Sequence, residues 1–143
     1  MCLMLYLASA APIAAAPTAG LGIESVPDVV LARLRDKLSL PHVCLVVVGT
    51  CSCDFPQSGC DRQVEYEDWM GHSEAQRATE IASLRALILL VRSALAATGT
   101  VEIYPVWNNE EGDAVGGRVE ARIDDLAPER FMFTEGFLYV LRA

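Results

Sequence analysis

Three cysteines, Cys51, Cys53 and Cys60, fall within ten residues of a polar, Gly- and Pro-containing stretch, and two of them stand in a C-x-C spacing just where an apolar run ends. Thiolates are soft ligands that select zinc, copper(I) and iron-sulfur, and a closed zinc site takes four nitrogen or sulfur donors at about 2.0 to 2.3 Å. The three thiols supply three such donors. A fourth is at hand in His72, or in Cys2 if the first strand lies beside the one ending at Val48. His42 is set aside, because it stands at the far end of that strand, about 20 Å from Gly49 at the usual rise per residue. Structural zinc sites are commonly framed by paired C-x₂₋₄-C knuckles, and C-x-C-x₆-C lacks the second one.

The same sulfurs have two other uses. A disulfide between residues i and i+2 closes a strained ring that is easily reduced, so Cys51 and Cys53 could cycle with Cys60 as the resolving thiol. Against this, no Lys or Arg lies between Lys37 and Arg62, and the neighbouring Asp54 disfavours a thiolate. The bland alternative is that the thiols act as small hydrophobes, the role expected of Cys44 inside His42-Val43-Cys44-Leu45-Val46-Val47-Val48. The leading expectation is a zinc site built from Cys51 and Cys53, with Cys60, Cys2 or His72 completing it. A thiol-disulfide protein using Cys51 and Cys53, and a non-catalytic interaction module with incidental cysteines, stay open.

Other candidates carry less chemistry. Asp54, Asp61, Glu65, Glu67 and Asp68 read as a solvated acidic run rather than a general acid-base pair. The oxygen-rich loop Asn108-Asn109-Glu110-Glu111-Gly112-Asp113 lacks the alternating ligand spacing of an EF-hand. Trp69, Trp107 and Phe131 read as core or edge aromatics. There is no G-x-G-x-x-G, Walker, G-x-S-x-G or H-E-x-x-H motif, which disfavours an ordinary cofactor enzyme.

The elements that must position these residues follow from periodicity. Leu3 to Leu7 reads as a strand, followed by an Ala- and Pro-rich loop to Gly22. Pro27 near a helix start, with Val30, Leu31, Leu34 and Leu38 at helical spacing, predicts a helix over 27–39. The run 42–48 is β-branched and apolar on both faces, so a central strand is expected there. A connection from Gly49 to Gly71 follows, of a length that suggests function. Ser73 to Gln76 fits a capping box opening a long helix that ends near Gly99. Its seam is Ile81, Leu84, Ile88, Val91 and Leu95, widened by Leu87 and Leu89, with Arg77, Arg85 and Arg92 on the wet side. Residues 101–107 and 118–123 read as a hairpin with a long acidic loop, 124–130 as a turn or 3₁₀ piece, and 137–141 as a last strand. Together these predict a single α+β domain over 1–143, with one mixed β-sheet and two main helices packed on it.

Composition narrows the partners. Hydrophobic residues make up 52% and charged residues 21%, the balance of a packed globule. A net charge of −8, from 19 acidic against 11 basic residues, opposes binding to nucleic acid or an anionic membrane. Residues 1–16 end in small residues like a signal peptide, but carry no Lys or Arg and are interrupted by Pro12. The expectation is therefore no cleaved signal, no membrane span and a cytoplasmic protein with reduced thiols. A protein partner or a second copy of the chain stays open.

Met1-Cys2-Leu3-Met4-Leu5-Tyr6, Val48-Gly49, Cys51-Ser52-Cys53-Asp54-Phe55 and the closing Phe131-x-Phe133-x-Glu135-Gly136-x-Leu138-Tyr139 resemble a group of small bacterial proteins that begin Met-Cys and carry a C-x-C-x-F element after a strand. The resemblance brings no known activity. It implies that Cys2 and the C-x-C pair belong to one site.

Overall fold

The computed structural model describes residues 2–13, 20–49, 52–56 and 74–143. In chain order the elements are β1 (Leu3–Ser9), β2 (Leu21–Ser25), α1 (Asp28–Leu34), β3 (His42–Val48), α2 (Glu74–Thr98), β4 (Thr100–Trp107), β5 (Gly117–Arg122), a 3₁₀ turn (Ile123–Asp125) and β6 (Phe137–Arg142). The strands form one six-stranded sheet in the order β2-β3-β1-β4-β6-β5. Only β5 and β6 run parallel; every other neighbouring pair is antiparallel. The fold is thus α+β with one mixed sheet and two helices among the described residues.

Each helix covers a different face, because alternating strand residues point to opposite sides. Leu5, Leu7, Val46, Val101 and Ile103 pack with Leu84, Leu87, Ile88, Val91 and Leu95 of α2. Tyr6, Ala8, Leu45, Val47, Tyr104 and Val106 pack with Leu34 at the end of α1 and with Leu38 just beyond it. Phe131, Phe133 and Tyr139 meet edge to face, with ring centroids 4.9 to 5.8 Å apart, and extend the α2-side core.

Several expectations need correction. The hairpin over 101–123 does not form: β6 lies between β4 and β5, so the acidic loop crosses over instead of turning back. Local turn chemistry suggested a hairpin, but the last strand, whose Leu138 to Leu141 are all buried, takes the interior position. The strand 42–48 is second from an edge, with β1 and β4 at the centre. Residues 21–25, read as loop and helix cap, form the edge strand β2. The helix expected over 27–39 closes at Leu34, and Leu38 continues it only as a turn, its N–H bonding the Leu34 carbonyl at 2.9 Å. Leu89 does not widen the α2 seam but is 58% exposed. The capping residue Ser73 lies outside the described residues.

Two local features fix the frame. Gly99, with φ +78°, stops α2 in a left-handed turn and donates to the Leu95 carbonyl at 2.8 Å. Pro105 is tolerated inside β4 because its carbonyl accepts Gly136 N–H at 2.7 Å on the β6 side, beyond the last β4–β6 pair, Ile103 with Tyr139. Its missing N–H therefore falls where no ladder bond is required. Glu102, 3% exposed, holds the turn after α1 against β4 by accepting from Ser39 N–H (2.8 Å), the Ser39 hydroxyl (2.5 Å) and Leu40 N–H (3.2 Å).

Candidate functional site

The C-x-C region is positioned by a split in the sheet. β1 and β3 pair from Ser9 with His42 up to Leu5 with Val46, where the described ladder ends. Gly49, at φ +68°, takes a backbone conformation that side chains disfavour and turns the chain out of β3. Residues 52–56 then occupy the place beside β1. Ser52 N–H donates to the Leu3 carbonyl at 3.3 Å, and the Ser52 hydroxyl accepts from Leu5 N–H at 3.0 Å while donating to the Val46 carbonyl at 2.6 Å. A side-chain hydroxyl therefore bridges the last β1–β3 pair. Phe55 is fully buried in the α2-side core, and the Pro56 carbonyl accepts Phe133 N–H at 2.9 Å.

These anchors leave Cys53 half-buried, with its sulfur accepting the Leu3 N–H at 3.4 Å. Since the peptide nitrogen of Leu3 lies one carbonyl away from the Cα of Cys2, the Cys53 sulfur is no more than about 6 Å from that Cα. Cys2 itself is exposed, and its carbonyl accepts Asn108 N–H at 2.9 Å. Residues 2 and 53 thus meet at the start of β1.

The other expected ligands, Cys51, Cys60 and His72, lie outside the described residues, as do Asp61, Glu65, Glu67, Asp68 and Trp69. Among the described residues, no three of His, Cys, Asp or Glu gather in a metal-holding group. Asp54 is exposed, and His42 sits at the opposite end of the β1–β3 ladder from Ser52. Cys44 belongs to the interior: it is half-buried against the α2-side core, and burial pushes its thiol up to about 11.

Sequence reasoning missed Ser52, whose partners Leu3 and Leu5 stand at the far N-terminal end of the chain and leave no local signal. It also missed a polar cluster on the α1 face. There Tyr6 and Tyr104 stand opposite one another on β1 and β4, and the Tyr6 hydroxyl donates to Glu111 at 3.0 Å. Glu111 is 2% exposed, with the Arg33 guanidinium 3.9 Å from its other oxygen. Burial first, then the hydrogen bond and charge of Glu111, raise the Tyr6 hydroxyl well above the usual phenol range. Burial, and then the negative charges of Asp113, Asp36, Glu110 and Glu111, raise that of Tyr104. The acidic loop is thus tied down over α1, and the cluster reads as a clamp on that loop.

No protein-family model, curated protein or solved structure matches the chain.

Proposed function

We propose that this chain binds a transition metal ion, zinc before others, through Cys2 and Cys53, with Cys51 and either Cys60 or His72 completing a tetrahedral set. The observation that supports it is the hydrogen bond from Leu3 N–H to the Cys53 sulfur, which brings that sulfur beside the backbone of Cys2. Thiols are soft donors, suited to zinc or copper(I) and not to calcium or magnesium. In this reading the Leu3 amide is the outer-shell partner that orients the Cys53 sulfur.

Ser52 and Phe55 hold this segment by backbone bonds and core packing that involve no ligand. The protein should therefore fold without metal and gain stability on loading, in proportion to the logarithm of ligand excess over Kd. The experiment is a zinc titration against a chromophoric chelator, with Cys2→Ser and Cys53→Ser measured beside the parent. Each substitution should weaken zinc at least about tenfold, as loss of even outer-shell partners can do. Unchanged affinity in both variants would remove the basis of the reading, and a parent that loses hydrogens in pairs without gaining metal would favour thiol-disulfide chemistry.

A further inference from the structure

On the α2 side of the sheet, at the opposite end of β1 from the cysteines, the chain leaves a hollow of about 270 Å³ between the segment following β1 and the C-terminal half of α2. Its walls are Pro12 and Ile13 on one side and Leu90, Ala94 and Ala97 on the other, with Ser9 at the floor. Ala94, half-buried, and Ala97, exposed at the mouth, present small side chains to the hollow. Leu89, 58% exposed, forms part of the rim. No charged side chain among the described residues lines the hollow.

Ser9 is the unusual member. It follows Leu5 and Leu7 in the alternation that faces α2, and it is 1% exposed. Its hydroxyl has no hydrogen-bond partner among the described residues. Thr98, also in the lining, differs in donating its hydroxyl to the Ala94 carbonyl at 2.9 Å. Buried hydroxyls are nearly always bonded, and an unbonded one on the wall of an apolar cavity calls for a ligand or ordered water. Small-molecule sites have this composition: mostly apolar walls and a few polar groups that fix orientation.

We propose that this hollow binds a small, uncharged, mostly apolar molecule carrying one hydroxyl or carbonyl, which bonds to Ser9. An apolar cavity of roughly 150 Å³ holds benzene, so the space suits a ring of one or two cycles or an aliphatic group of like bulk. The described lining residues carry no charge, which disfavours phosphates, carboxylates and ammonium compounds, since a buried ion needs a partner.

The test uses the whole chain and two probes, toluene and benzyl alcohol, followed by methyl chemical shifts of Leu90, Ala94 and Ala97. Both probes should produce saturable shifts at these methyls. Ser9→Ala should weaken benzyl alcohol by about three- to tenfold, as loss of one net hydrogen bond does, and leave toluene within about twofold. Ala97→Leu, at an exposed position that tolerates bulk, should abolish binding of both. Because Ser9→Ala removes a hydroxyl with no partner, it should not lower the thermal midpoint. Absence of saturable shifts with either probe, an equal effect of Ser9→Ala on both, or full binding in Ala97→Leu overturns the proposal.

Discussion

Leu5 donates its backbone N–H to the side chain of Ser52, 47 residues further along the chain, across 3.0 Å, and the same hydroxyl passes a bond on to the Val46 carbonyl. Ser52 thus serves as a structural splice where strands β1 and β3 part, and Cys53 follows it directly. Ser52→Ala leaves a buried donor and a buried acceptor unsatisfied, which should cost about 1 to 3 kcal/mol. Urea unfolding checks this, and a loss under about half a kcal/mol, as at a surface site, would show that the bridge does not support the loop.

The face of α2 is testable by contrast. Leu84 and Ile88 are buried in the core, so Leu84→Ala or Ile88→Ala should each cost about 2 to 5 kcal/mol. Leu89, one residue on, is 58% exposed, and Leu89→Ala should stay within about half a kcal/mol. Equal losses at 88 and 89 would mean that the helix presents a different face to the sheet.

What could be read from the sequence were the features with a period. The α2 seam showed as steps of three and four, and β1, β3, β4 and β6 as apolar runs of strand length. Pairing order was not legible, because an antiparallel neighbour leaves no local trace. The Gly116-Gly117 pair at the start of β5 suggested a turn back onto β4, whereas β6, which follows β5 in the chain, supplies the intervening strand. β2 was hidden for a different reason: Leu21-Gly22-Ile23-Glu24-Ser25 is short, and it is a strand by virtue of its pairing with β3. At the site, thiol spacing singled out Cys51, Cys53 and Cys60, and the expected neighbourhood of the first strand added Cys2. Ser52, which anchors the segment before Cys53, carries no signature beyond a hydroxyl.

Glu102 offers a test of the α1 face. Its carboxylate gathers three donors from Ser39 and Leu40 while 3% exposed, so Glu102→Ala abandons two backbone N–H groups. A loss of about 1.5 to 3 kcal/mol is expected, as for hydrogen bonds to a charged group. Amide exchange at Ser39 and Leu40 should accelerate in this variant, and unchanged protection there would contradict the arrangement.

Stability should fall on the alkaline side. Tyr6, Tyr104 and Tyr139 are raised above the ordinary 10.0, and Cys44 is raised from 9.0 to about 11, chiefly by burial in each case. The folded state holds these protons more tightly than the unfolded one, so their contribution is complete below the unfolded values and is lost as pH rises above them. The loss should begin near pH 9 with Cys44, continue to about 11, and steepen above 10 as the tyrosines join. Urea midpoints between pH 7 and 11.5 should follow this course, with Cys44→Ala flattening the segment from 9 to 11. A parent and a Cys44→Ala variant with identical slopes there would place Cys44 in water.

Native mass spectrometry with a thiol count, on the parent and on Cys2→Ser/Cys53→Ser after exposure to zinc and removal of excess, tests the central claim most directly. The account predicts one zinc per chain in the parent, with protons displaced from the thiols, and no retained zinc in the double variant, whose near-native unfolding midpoint shows that Ser52 and Phe55 still hold the loop. Equal zinc content in the two proteins, or none in the parent with all thiols reduced, would contradict it.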